Sequence, residues 1–306
     1  MEMNNGKKLN AVCFGEVLWD VFPTHKKIGG APLNVAVRLN SFGIQTTMIS
    51  RVGVDENGSD IKEFIQDHQS DTQFIQEGAD YKTGVVNVMI NEKGNASYDI
   101  MYPSAWDKIQ LTDEMIELVS KADAFVFGSL ICRDEVSRTT LYALLDVAKY
   151  KILDANLRAP YYTTEVLIEL MSKADFIKLN DDELREISRE LDSPYNSFEQ
   201  NIKFIAEKTK ARHICVTKGE FGAVLYYDAK FYYNSGYFIK VVDTVGAGDS
   251  FLASLTMKLL KGKSPQKALN YACAVGALVA GQEGANPEIS DVEIRKFMML
   301  KEPKSK

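Results

Sequence analysis

Seven residues carry the densest chemical signal in the chain: Asp243-Thr244-Val245-Gly246-Ala247-Gly248-Asp249. They join an apolar run of strand length to an apolar run of helix character, Ser250-Phe251-Leu252-Ala253-Ser254-Leu255. Small residues let the backbone curl until successive N–H groups point at one spot, and at a helix N-terminus that spot attracts anions. An aspartate beside it would repel the phosphate it adjoins. Asp249 therefore reads as a base facing a hydroxyl, while the main-chain amides of Gly246, Ala247 and Gly248 hold a phosphoryl group. The same residues also suit a plain helix start, because aspartate is a preferred N-cap and glycine is ordinary in such a turn.

Two similar patterns fail. A dinucleotide fingerprint needs a third glycine where Phe251 stands. Gly262-Lys263-Ser264 is not a phosphate loop, since it follows a helical run, precedes Pro265 and has Met257 in place of the first glycine.

A second cluster lies near the N-terminus, where Gly29-Gly30-Ala31-Pro32-Leu33-Asn34 opens an amphipathic run that Gly43 ends. Paired glycines clear side chains from a surface on which a small ligand can lie against backbone. Asn34 offers both a donor and an acceptor, and Asp20 can accept from two neighbouring sugar hydroxyls. Taken singly, each of these residues suits a turn or a cap equally well.

The elements that must position both clusters alternate along the chain. Strand-length apolar stretches fall at 10–14, 46–51, 123–127, 151–154, 175–179 and 213–217, and helix-period stretches at 33–42, 59–68, 112–121, 134–149, 181–191 and 197–210. Such alternation builds βαβ units on a mostly parallel sheet with helices on both faces. Two segments break the rhythm. Residues 17–27 contain no helix pattern, and 83–105 reads as two alternating strands around Glu92-Lys93-Gly94-Asn95. Together they form a small β appendage of the kind that closes over a ligand or meets a second copy. Further on, 226–233 reads as a hairpin around Asp228-Ala229-Lys230, and 238–243 as a strand. Two helices follow, over 249–261 and 265–282, and 301–306 reads as a frayed end.

Composition bounds the partners. Of the 306 residues, 45% are hydrophobic and 25% charged, which is enough apolar material for a large core without metal or disulfides. A net charge of −6 gives no basic face for nucleic acid. Cys13, Cys132, Cys215 and Cys273 are widely spaced in apolar runs and read as buried small hydrophobes. His25, His68 and His213 are isolated, so they do not suggest a histidine metal site. The N-terminus lacks an apolar signal core and no apolar run approaches membrane-spanning length, so a cytoplasmic protein with no membrane partner is expected.

The two glycine clusters together resemble the ribokinase-like, or PfkB, family of carbohydrate kinases. One family signature begins with Gly-Gly, has an asparagine soon after and ends with two spaced glycines, here Gly29-Gly30, Asn34, Gly43 and Gly53. The other, Asp-Thr-x-Gly-Ala-Gly-Asp, is complete at Asp243–Asp249. The likeness runs from about Phe14 to Ile289. Asp154-Ala155-Asn156-Leu157-Arg158 is similar to the Asp-x-Asn-x-Arg segment of fructokinases, although proline is commoner at position 155. Asn180-Asp181-Asp182-Glu183 fits an Asn-x-x-Glu motif linked to magnesium and phosphate, and also reads as a helix start with an Asp181–Arg185 pair. Thr217-Lys218-Gly219-Glu220-Phe221-Gly222 is similar to the family's nucleotide-binding loop, and equally to an ordinary strand exit.

The resemblance implies a single α/β domain over 1–306, with a three-layer α/β/α core, a mostly parallel central sheet and a small β lid from about 17–27 and 83–105. It implies an ATP-dependent phosphotransferase in which Asp249 deprotonates a sugar hydroxyl and Gly246, Ala247 and Gly248 stabilise the moving phosphoryl group. Asp20, Gly30 and Asn34 would bind the sugar, with Arg158 supporting phosphates. Asn180, Thr217, Lys218, Gly219 and Gly222 would face the nucleotide, and Glu183 would hold Mg2+ through water. Backbone oxygens near Asp243 and Thr244 would offer a K+ site. Cys273 departs from the asparagine that many relatives carry beside the nucleotide. The segments Gly15–Asp20 and Gly29–Ala36 look most like fructokinases. Other ketoses, pentoses, sugar acids and nucleosides remain open as substrates, as does a non-catalytic sugar sensor on the same fold. A homodimer through the lid is also expected.

Overall fold

The computed structural model describes residues 8–90 and 96–299, and their contacts group into two compact units, 8–170 and 171–299. In the first unit, strands β1 (Asn10–Phe14), β2 (Leu18–Val21) and β3 (Lys26–Gly29) precede α1 (Ala31–Ser41). Then come β4 (Gln45–Gly53), α2 (Glu56–Asp67), β5 (Ile75–Gly78), β6 (Gly84–Ile90) and β7 (Ala96–Ile100). The unit continues through α3 (Asp113–Lys121), β8 (Ala124–Gly128), α4 (Glu135–Val147) and β9 (Lys151–Asp154), and α5 (Thr164–Lys173) carries the chain onward.

Strands β9, β8, β1, β4 and β5 lie side by side in that order, each neighbouring pair parallel. The central strands β1 and β8 are buried almost continuously rather than alternately, as parallel strands covered on both faces require. Phe14, Phe125 and Phe127 stack through this core at ring separations of 6.2 and 5.9 Å.

The expected appendage is a separate four-stranded sheet, β3-β2-β6-β7, with β2 parallel to β6 and its other pairs antiparallel. Gly53 anchors its entry: the Gly53 N–H donates to the Thr83 hydroxyl at 2.9 Å. Thr83 in turn donates its hydroxyl and amide to Asp55 at 2.6 and 2.9 Å. A Cβ on Gly53 would stand 2.7 Å from the Thr83 nitrogen, so this signature glycine serves the start of β6. The expected turn at Glu92–Asn95 lies outside the described residues, as does the expected frayed end at 301–306.

The second unit holds β10 (Phe176–Asn180), α6 (Asp181–Glu190), α7 (Phe198–Thr209), β11 (His213–Thr217), β12 (Ala223–Tyr227) and β13 (Lys230–Asn234). Helices α8 (Ala247–Leu260), α9 (Pro265–Ala280) and α10 (Asp291–Met299) follow. β10 and β11 are parallel, while β11, β12 and β13 form an antiparallel meander. Asp228 and Ala229 turn its last hairpin with positive φ of 45° and 60°, the twist that a two-residue loop needs.

One expected strand is absent. Residues 238–243 are irregular, and the amides of Val242 and Asp243 donate to the Ala280 carbonyl at the end of α9, at 2.8 and 3.3 Å. A helix C-terminus leaves carbonyls without intrahelical donors, and these capture the segment that composition alone makes strand-like. Gly236, at φ +84°, has already turned the chain out of the extended line of β13. Phe238 is consequently 86% exposed. Helices α5 and α10 were not legible as periodic runs. No helix among the described residues is long and apolar enough to cross a membrane.

Candidate active site

The glycine turn stands at the head of α8. Gly246 occupies the N-cap with a left-handed backbone, φ 73°. A Cβ there would sit 2.4 Å from the Ala285 carbonyl oxygen and 2.5 Å from its Cα, so only glycine fits. Asp249 is thus not the N-cap but the third helical residue, half-buried on the first turn. The amides of such a turn have no carbonyl one turn back to receive them. The Ala247 N–H turns to the Thr244 carbonyl at 3.3 Å, a long bond. Asp243 pins the turn from below, with its carboxylate accepting the Val245 N–H at 3.0 Å and the Gly284 N–H at 3.1 Å. Residues Ser250–Met257 are buried all round, which fixes the helix and therefore the direction of its amides.

At the head of α6 the helix-start reading of Asn180 and Glu183 is realised as a capping box. The Glu183 N–H donates to the Asn180 side chain at 2.8 Å, and the Asn180 N–H donates to the Glu183 carboxylate at 2.7 Å. Arg185 pairs with Asp181 at 3.2 Å and Asp182 at 3.0 Å. The Thr217 hydroxyl donates to the Leu179 carbonyl at 3.4 Å, tying the exit of β11 to the residue before Asn180. The loop beyond is tight. The Lys218 N–H donates to the Gly222 carbonyl at 2.8 Å, and Gly219 and Gly222 take φ of 54° and 76°. Buried Cys273 lies within electrostatic reach of Lys218; burial pushes its thiol up to about 12 against that lysine's pull.

One member of this half was missed in the sequence. Lys178 on β10 places its ammonium 3.3 Å from where a Gly248 Cβ would stand. The signal was present as a lysine interrupting the strand run Phe176-Ile177-Lys178-Leu179.

In the first unit, Asp20 lies mid-strand on β2, opposite Lys27 of β3. Its Oδ2 is 2.3 Å from where a Gly29 Cβ would be, so the glycine makes room for the carboxylate. Burial pushes Asp20 up to about 6, against the opposing pull of the Arg158 charge. Gly30 caps α1 at φ 116°, where a Cβ would meet the Glu16 carbonyl oxygen at 2.4 Å. The Asn34 N–H closes the first turn onto the Gly30 carbonyl at 2.9 Å, and Asn34 itself is buried. Arg158 is exposed in the loop after β9, donating to the Leu157 carbonyl at 3.0 Å. The structure therefore gathers Asp20, the glycine pair, Asn34 and the Arg158 charge in one unit. It gathers the glycine turn, Lys178, Asn180, Glu183 and the Thr217–Gly222 loop in the other.

Residues 5–291 match the pfkB family carbohydrate kinases. A probable fructokinase of Arabidopsis thaliana is 28% identical, covering 97% of this chain and 94% of its own length. An ATP-dependent 6-phosphofructokinase of Thermoanaerobacterium thermosaccharolyticum is 27% identical, with coverages of 95% and 94%. Among solved structures, a double-mutant Vibrio cholerae fructokinase with fructose, ADP and a potassium ion bound superposes with a TM-score of 0.81. It is 23% identical and covers 95% of this chain and 98% of that one.

Proposed function

Since this chain belongs to the pfkB family of carbohydrate kinases and has their ribokinase-like α/β fold, we propose that it transfers the γ-phosphate of ATP to a hydroxyl of fructose. The observation that carries this reading is the glycine turn on α8, with a half-buried carboxylate on its first turn. Asp249 takes the proton of the acceptor hydroxyl as its oxygen bonds to the γ-phosphorus. The bond from that phosphorus to the bridging oxygen breaks, and ADP leaves with the electron pair. Positioning and charge stabilisation supply most of the acceleration in such a transfer. The amides of Gly246, Ala247 and Gly248 supply part of it. The Ala247 amide exchanges its 3.3 Å bond to Thr244 for a phosphoryl oxygen.

The sugar is held by Asp20, Gly30 and Asn34, with Arg158 supporting phosphate charge. Asn180, Thr217, Lys218, Gly219 and Gly222 line the nucleotide. Magnesium is carried largely by nucleotide phosphates and needs few protein carboxylates. Glu183 fits that demand, since its carboxylate already sits at a helix head where it accepts an amide. Bound there through water, the ion would neutralise phosphate charge. The Thr244 carbonyl, at the base of the turn, suits a potassium ion.

The deciding assay mixes the protein with magnesium-ATP and a panel of fructose, other ketoses, pentoses, sugar acids, nucleosides and fructose 6-phosphate, and measures ADP. The last is included because one relative is a 6-phosphofructokinase. Fructose should give the highest kcat/KM, and Asp249→Asn should abolish turnover while fructose and ATP still bind. Sugar binding without ADP formation would identify a sensor. Near-normal kcat in Asp249→Asn would remove the assigned base.

A further inference from the structure

Residues 155–163, the loop that carries Arg158, form neither helix nor strand. Such a segment drifts unless something outside it holds it. The Arg158 side chain does not supply the hold, since its bond to the Leu157 carbonyl at 3.0 Å moves with the loop. Tyr161 does. Its N–H donates to the Arg158 carbonyl at 2.8 Å, closing a turn directly on that residue. Its hydroxyl donates to the Ile100 carbonyl at 3.0 Å, 61 residues back at the end of β7.

The ring between these two bonds lies against a buried post. The Arg133 guanidinium is 4.9 Å from its centre and 4.0 Å from that of Trp106. Asp107 holds the guanidinium through two bonds of 2.8 Å, and the pair is almost wholly buried. A fork bound to a carboxylate in this way has little freedom to turn. Arg133 also donates to the Met101 carbonyl at 2.7 Å, so the post grips the chain beside Ile100 as well.

The end of β7 matters because of what shares its sheet. Val86 of β6 pairs with Ile100 on one side and with Asp20 of β2 on the other. Asp20, Val86 and Ile100 therefore form one row across the four-stranded sheet, about 10 Å from end to end. The Tyr161 anchor thus fixes the Arg158 backbone relative to the carboxylate proposed to hold the sugar. The Arg158 charge does reach Asp20, where it opposes the upward push of burial.

Resting on the sugar half of the kinase reading, we propose that Tyr161 is a positioning residue: its hydroxyl fastens the Arg158 turn to the Asp20 row of the sheet and keeps the guanidinium facing that carboxylate.

Tyr161→Phe removes one hydroxyl and keeps the ring against Arg133. Asp20 then reports where the Arg158 charge lies. Its titration is followed by carbon-13 NMR of protein labelled at aspartate carboxyls, the signal being assigned by its loss in Asp20→Asn. Lys27 of β3, the other charged residue in the row, is the same in every variant compared. The Asp20 midpoint should rise by at least about 0.2 pH unit in Tyr161→Phe, in the same direction as in Arg158→Met, because less positive charge then steadies the carboxylate. The double variant should titrate with Arg158→Met, since a tether has nothing left to place once the charge is gone. In turnover, kcat/KM for fructose should fall about 3–10-fold in Tyr161→Phe and no further when that change is added to Arg158→Met.

A bond that serves stability alone would lower the melting temperature and leave the midpoint in place. A smaller rise in Tyr161→Phe, a rise that adds in full to that of Arg158→Met, or an Arg158→Met protein that titrates like the unaltered one would each overturn the assignment. No substrate enters the titration. A protein that phosphorylates no sugar would therefore sink the kinase reading, while the midpoints still judge Tyr161.

Discussion

Asp20 offers the most demanding test of the sugar half, because its titration falls inside an accessible pH range. Burial raises its carboxyl to about 6 although Arg158 pulls it down. A midpoint there leaves roughly nine-tenths of the group charged at pH 7 and about one-tenth at pH 5. The charged carboxylate is the form that accepts from two sugar hydroxyls. The sign follows from the direction of the shift. The value is raised, so the binding-competent form is complete above about pH 7 and is lost as pH falls through 6. Fructose affinity should weaken about tenfold between pH 7 and pH 5. Direct calorimetry of fructose, without ATP, isolates this effect from the chemistry at Asp249. Asp20→Asn should bind weakly at every pH with no acid limb, and Arg158→Met should move the limb to higher pH by removing the opposing charge. An affinity flat from pH 5 to 7.5, or the same limb surviving in Asp20→Asn, would refute the assignment.

Other consequences are structural. Gly246→Ala must accept a left-handed backbone and a Cβ 2.4 Å from the Ala285 oxygen, which should cost about 2–5 kcal/mol in urea denaturation. Gly262→Ala has a similar φ of 69° but nothing within 4 Å, so about 1–2 kcal/mol is expected there; equal losses would contradict the steric argument. Asn180→Ala should cost about 1 kcal/mol through its lost cap. Glu183→Gln keeps an acceptor for the Asn180 N–H, so it should melt nearly normally while the magnesium requirement for turnover rises. Asp107→Ala strands Arg133, whose Nε and Nη2 each reach that carboxylate at 2.8 Å with both side chains almost fully buried. A loss of about 3–5 kcal/mol is expected on denaturation, and a loss below about 1 would show that the pair is not carrying the segment between β7 and β8.

Much of this was legible in the sequence because the controlling interactions are local. Strands 10–14, 151–154 and 213–217 appear with their expected bounds, since a continuous apolar run ended by turn residues is sufficient signal for a buried parallel strand. The small residues at 246–248 announced a curled turn before a helix, and Asn180 with Glu183 announced a helix start, through geometry that spans only a few covalent neighbours. The two readings of Asn180–Glu183 could not be separated in the same way, because a helix cap and a metal-linked carboxylate use the same residue types at the same spacing.

What the sequence determined unaided, then, is the alternation of strands and helices over most of the chain and the position of the two glycine clusters within it. Tertiary structure alone decided that 238–243 gives its amides to α9 instead of a sheet, that burial lifts Asp20, and that Lys178 lies against Gly248. The division has a physical cause. Backbone preference and capping are set by neighbours along the chain, whereas burial and electrostatic proximity are sums over groups that only folding brings within a few ångströms of each other.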